Sequence, residues 1–164
     1  MSQVKSSGSV YRALQSLFEP AAMGVGFELT VSDRVGIERL CAAQLSRFSE
    51  DSSFLRMLLR HKLNISRGAP EPAPRELVTS NRQVTYMIGP VRVYKGLLTF
   101  KKTNNPEHIH VGSTLGATLI GMRSLQKSPL MHRSGRVDTV FVLDVDLSRA
   151  HWFGKLDMEI QCHY

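Results

Sequence analysis

At 164 residues the chain is long enough for one or two domains built on a proper hydrophobic core. Its 42% apolar and 21% charged residues are ordinary for a soluble globular protein. No run approaches the roughly 18 apolar residues that span a bilayer, and two distant cysteines, Cys41 and Cys162, give no disulfide framework.

The formal charge of +7 is unevenly placed. From Ser80 to Arg136 nine basic residues (Arg82, Arg92, Lys95, Lys101, Lys102, Arg123, Lys127, Arg133, Arg136) stand against one acid, Glu107. From Val137 onward the balance reverses, with Asp138, Asp144, Asp146, Asp157 and Glu159 against Arg149 and Lys155. A stretch this basic attracts nucleic acid or an acidic protein surface, or serves as a solvated face.

Met1 to Ala22 is Ser-rich and acid-poor, with Val10, Leu14, Leu17 and Phe18 at helical spacing. It lacks an uninterrupted apolar signal core. A transit-like helix fits that spacing, but we read the segment as an extension that frays or docks on a partner. A reducing, cytoplasmic setting is expected, with Cys41 a small apolar residue on a helix face. Phe27 to Leu29 forms a short strand. Ser32 then caps a first helix, with Asp33 favourable in its first turn. Val35, Leu40, Cys41 and Leu45, with Ile37 and Phe48 alongside, approximate the helical period to about Arg47. Ser49-Glu50-Asp51-Ser52-Ser53 breaks that helix. A second follows, with Phe54, Leu55, Leu58 and Leu59 as its apolar stripe and Arg56, Arg60 and Lys62 outside. So short a turn makes the two helices antiparallel, a coiled-coil-like hairpin. Asp33 to Arg47 extends only about 22 Å at 1.5 Å per residue.

Pro70, Pro72 and Pro74 stiffen Gly68 to Arg75 into a linker. Beyond it the period becomes two: Val84, Tyr86 and Ile88 alternate, Gly89-Pro90 turns, and Val91, Val93, Leu97, Leu98 and Phe100 continue as strand. After the loop Thr103–Pro106, Ile109 and Val111 point inward, so His108 and His110 share the outer face. Val111 to Met122 reads as strand end, N-cap (Ser113), two-turn helix and glycine stop (Gly121), with Leu115, Leu119 and Met122 on one side. Val137 to Val145 is the strongest strand. The fold class is therefore α+β: a short antiparallel helical hairpin, then an antiparallel sheet with one short helix packed on one face. The expected divisions are residues 1–27 (extension), 28–66 (hairpin), 67–76 (linker), 77–147 (sheet domain) and 148–164 (tail).

Four stretches in this order, Leu77–Val84, Val91–Tyr94, Ser113–Gly121 and Arg136–Val145, resemble the Gre-type transcription factors and their relative Rnk. The resemblance runs from about Glu28 to Val145 and implies an FKBP-like C-terminal domain. Departures are Thr114 where the family places proline, Ser124-Leu125-Gln126 where it has Val-Gly-Asp, and a shorter turn at Gly89-Pro90. The resemblance implies bacterial RNA polymerase as partner, with Ser113, Thr114 and Leu115 docked on a helical hairpin at the rim of the secondary channel. Read structurally, Ser113 simply caps the helix and Leu115 fills the core.

Cleavage-stimulating Gre factors carry acids at a coiled-coil tip that help hold a second Mg²⁺, a role that Glu50 and Asp51 invite. The plainer reading is that these two acids favour a helix N-terminus, and a hairpin near 22 Å looks too short for the channel. Binding without cleavage stimulation is the expectation, with competition for the channel as its mechanism. The rival reading is a nucleic-acid-binding module using Arg82, Arg92, Lys95, Lys101 and Lys102, with Tyr94 and Phe100 as stacking partners. His108-x-His110 beside Glu107 lacks further ligands, as does Cys162-His163, so no metal and no cofactor are expected. FKBP-like folds include prolyl isomerases, but no aromatic-lined site or catalytic motif is legible, and no enzyme activity is expected. A monomer away from membranes completes the reading.

Overall fold

The computed structural model describes residues 26–44, 50–89, 92–132 and 134–146. In chain order its elements are β1 (Glu28–Leu29), α1 (Val31–Gln44), α2 (Glu50–Ile65), β2 (Arg67–Gly68), β3 (Gln83–Ile88), β4 (Arg92–Thr99), β5 (His108–His110), α3 (Thr114–Leu119), β6 (Lys127–Met131) and β7 (Val137–Asp146). The class is α+β. A five-stranded sheet runs β5-β4-β3-β7-β6, and β1 and β2 form a separate parallel pair. The sheet is not wholly antiparallel, because β5 joins β4 in parallel. The connection from Phe100 to Glu107 carries the chain back to Leu97, so that β5 runs beside the last three residues of β4 in the same direction, which a tight hairpin cannot do.

Thr30 caps α1, not Ser32. Its hydroxyl accepts the Asp33 N–H at 3.1 Å and its carbonyl accepts the Arg34 N–H at 3.0 Å. Asp33 is therefore free to do more than complement the helix dipole. It is 1% exposed, and its Oδ1 accepts the backbone N–H of Ser80 from the far side of the chain at 3.2 Å. Ile37 is the fully buried residue of α1, whereas Val31 and Val35 are exposed. α1 ends at Gln44 and α2 begins at Glu50, so the expected polar break lies largely inside the second helix. Leu45, Arg47, Phe48 and Ser49 fall outside the described residues, as do residues 1–25 of the N-terminal extension and the chain from 147; Phe27, at the end of that extension, belongs to the core.

Two register findings shape the sheet. Tyr86 faces Tyr94 directly, and Tyr86 is buried, so Gly96 and Leu98 follow on the inner side. Val93 consequently points outward at 61% exposure. On the other side of β3, Thr85 faces Asp144 while Tyr86 faces Val142, leaving Leu143 as the extra residue of a bulge. This is why Val140, Val142 and Val145 are all buried although their spacing changes from two to three.

One core cluster joins Phe27, Leu29, Ile37 and Leu59 to Val84, Leu98, Leu119, Val140 and Val142. The helix pair and the sheet thus share buried surface. The proline-containing stretch is also held: the Arg82 guanidinium donates to the carbonyls of Ala73 (3.0 Å), Pro74, Arg75 (3.3 Å) and Leu77 (2.8 Å). Arg123 bridges Glu28 at 2.8 Å and Glu76, tying β1 and this stretch to the turn after α3.

Candidate docking site at helix α3

Six residues cannot sustain a helix in water by themselves, so α3 exists because its ends are pinned. Ser113 adopts extended geometry, and its Oγ accepts the Gly116 N–H at 3.0 Å. The same hydroxyl donates to the His110 carbonyl at 2.7 Å, fastening the helix start to the end of β5. The expected cap is therefore present. Gly116 lets the helix lie against that strand: a Cβ there would sit 2.1 Å from the His110 carbonyl oxygen. The far end closes at Gly121, with φ +79°, where a Cβ would meet the Glu28 carbonyl oxygen at 2.7 Å. Its N–H donates to Val78 and its carbonyl accepts from Glu28.

The result is a helix buried along Gly116–Leu119 whose entrance, Ser113-Thr114-Leu115, is only half-buried. Leu115 packs against the main core, as its structural reading requires, and retains partial exposure. Met122 and Leu119 are fully buried. The entrance offers a capped turn with one hydroxyl, one threonine and one leucine edge. That chemistry suits contact with a protein surface and supplies no reactive group.

Lys62 is a residue the sequence reading misplaced. It does not stand outside with Arg56 and Arg60. It is 3% exposed, its Nζ donates to the Thr118 carbonyl in α3 at 2.9 Å, and it lies 3.4 Å from the centroid of the Phe27 ring. Burial holds its pKa well below the usual lysine value. The signal was present: position 62 follows Leu58 and Leu59 by four and three, on the same helix face.

The five basic candidates do not share one surface. Arg82 is spent on carbonyls. Arg92 and Lys95 are exposed on opposite faces of β4, three residues apart on an alternating strand. Lys95 pairs with Asp146 at 3.0 Å. Lys101 and Lys102 are exposed in the connection to β5. Of the proposed stacking aromatics, Tyr94 already stacks on Tyr86 with centroids 5.5 Å apart, and Phe100 packs against the core. Glu50 and Asp51 are the first two residues of α2.

His108 and His110 are engaged with the loop beside them. His108 Nδ1 lies 2.9 Å from the Thr103 hydroxyl, and His110 Nε2 lies 3.1 Å from the Phe100 carbonyl, to which it donates. Among the described residues no three His, Cys, Asp or Glu side chains gather as metal ligands would. No helix among them is long and apolar enough to cross a membrane.

No family model and no curated protein matches this sequence. Solved structures do. The prokaryotic transcription elongation factor GreA/GreB from Nitrosomonas europaea overlays with a TM-score of 0.54, across 73% of this chain and 98% of that one, at 18% identity. The fold is that of a Gre factor. Gfh1, the GreA factor homolog 1 of Thermus thermophilus, is similar at 13% identity and a TM-score of 0.35, across 74% of this chain and 99% of that one. Thermus aquaticus Gfh1 is similar at 12% identity and a TM-score of 0.37, across 73% of this chain and 97% of that one. Within the Gre fold of this chain, α3 and its Ser113 cap stand between the sheet and the helix pair.

Proposed function

We propose that this chain is a Gre-type transcription regulator that binds bacterial RNA polymerase near its secondary channel, in the manner of Rnk, without stimulating transcript cleavage. The supporting observation is its likeness in fold to a transcription elongation factor over 98% of that protein's length. The half-exposed Ser113-Thr114-Leu115 entrance of α3 adds a place to dock. On this reading that entrance seats on a helical hairpin at the channel rim, and the helix pair stands toward the channel. The chain makes and breaks no bond of its own; it acts by occupancy, competing with other factors for the same opening.

The reach of the helix pair speaks against cleavage stimulation. α1 has 14 residues and α2 has 16, or about 21 and 24 Å at 1.5 Å per residue. A lever this short leaves Glu50 and Asp51 far from a buried active site, where a metal ligand must approach to about 2.1 Å. The dispersal of Arg82, Arg92, Lys95, Lys101 and Lys102 argues against a phosphate-tracking groove as the main activity.

Two measurements test this. Thr114→Arg places a long cation in the proposed contact while leaving the Ser113 cap in place. Co-purification with polymerase is expected to be lost with the thermal unfolding profile unchanged; retained co-purification counts against the site. Backtracked elongation complexes are expected to cleave no faster with the chain than without it. Acceleration that disappears in a Glu50→Ala/Asp51→Ala double variant would overturn the non-cleaving assignment.

A further inference from the structure

Lys62 is the described chain's most anomalous charge. It reaches from α2 under the Phe27 ring to a carbonyl of α3, and it is 3% exposed. An ammonium group has three donors, and the geometry supplies one carbonyl acceptor and one aromatic face. None of the ion pairs among the described residues involves it. α3 contributes no ionisable side chain, and Glu28, beside Phe27, is engaged by Arg123. His61 is its titratable neighbour on α2, and Arg34 of α1 donates to the carbonyls of Leu63 (3.0 Å) and Ser66 (3.1 Å) at the same helix end. Neither neighbour offers the ammonium a negative charge. A buried cation in that company is costly unless it sheds its proton or regains water.

We propose that Lys62 is a proton-sensitive latch between the helix pair and α3, closed when its amine is neutral and loosened when the ammonium form is populated. The neutral amine still donates to Thr118 and still fills the space beneath Phe27. The ammonium keeps those contacts but lacks solvation, so protonation favours states in which α2 lifts from α3 and Lys62 meets water. Because α3 also carries the Ser113–Leu115 entrance, the latch ties that surface to the helix pair.

The sign follows from linkage. Below the folded-state pKa the amine is protonated in closed and open forms alike, and the burial penalty acts in full. Between that value and the ordinary lysine value near 10.4, only the open form binds the proton, so the closed form gains with rising pH. His61 is also lowered, by burial first and then by the Lys62 charge, and its effect has the same sign. Its window, however, ends near the ordinary histidine value of about 6.5. Cys41 on α1 is raised by burial and acts in the opposite sense at alkaline pH, so it cannot mimic Lys62.

The test uses millisecond-pulse hydrogen exchange on the full chain between pH 7.5 and 9.5, corrected for chemical exchange. Protection of amides in Leu58–Ile65 is expected to rise with pH by up to about ten-fold per unit, while the centres of β3 and β7 show no such slope. Lys62→Met is expected to abolish the slope and keep protection high. A slope that persists in Lys62→Met, or a flat wild-type profile, overturns the latch. Should Lys62→Met fail to fold, a side-chain NMR titration of wild-type Lys62 decides: a depressed value supports the latch and an ordinary one refutes it. No polymerase is needed, so failure here leaves the functional reading untouched.

Discussion

Leu125 holds φ +65° with 74% of its surface exposed, in a turn closed by the Gln126 N–H to the Arg123 carbonyl at 3.1 Å. Left-handed geometry costs an L-residue about 1–2 kcal/mol, and an exposed side chain recovers little of it by packing. Leu125→Gly is therefore expected to stabilise the chain by about 0.5–1 kcal/mol after allowing for glycine's freer unfolded state, read as a higher urea midpoint. A lower midpoint would mean that Leu125 makes a contact stronger than its strain. Gly116→Ala should do the opposite, costing about 3 kcal/mol or more, because its methyl would meet backbone at the His110 carbonyl. At this scale the sequence was legible where a local motif decides, as at the Ser113 cap. It was silent where the folded geometry decides: Asp33 is explained by Ser80, 47 residues on, and Arg82 by four carbonyls of the stretch 73–77 that folds back over it.

Elements with a strong period were readable and those without were not. β3 and β7 follow from their alternating apolar residues, although the bulge at Leu143 shifts the parity within β7. β4 carries apolar residues on both faces, so its period could not choose a side, and the Tyr86–Tyr94 pairing chose it. β6, Lys-Ser-Pro-Leu-Met, has no clear alternation and carries a proline, which is tolerated because β6 is an edge. The first helix follows from its sequence, but its cap lies at Thr30, two residues before the serine that the pattern suggests. α3 was legible from its cap and its closing glycine, and its dependence on that cap is measurable. Ser113→Ala removes a bond to the Gly116 N–H and another to the His110 carbonyl. A loss of about 1–2 kcal/mol is expected by urea denaturation, and an unchanged midpoint would show that burial alone holds α3.

Across the whole molecule the order of elements sufficed to anticipate an α+β chain with a helix pair preceding the sheet. It did not disclose that both rest on one core, since Lys62–Thr118, Asp33–Ser80 and Arg123–Glu28 are long-range contacts. Because the core is shared, an α3 docked on a partner would carry the helix pair with it. The most direct measurement is equilibrium binding of the fluorescently labelled chain to purified bacterial core RNA polymerase, followed by addition of a Gre cleavage factor. Saturable binding that the added factor displaces fully is expected; no binding, or binding indifferent to excess Gre factor, would contradict occupancy of the channel.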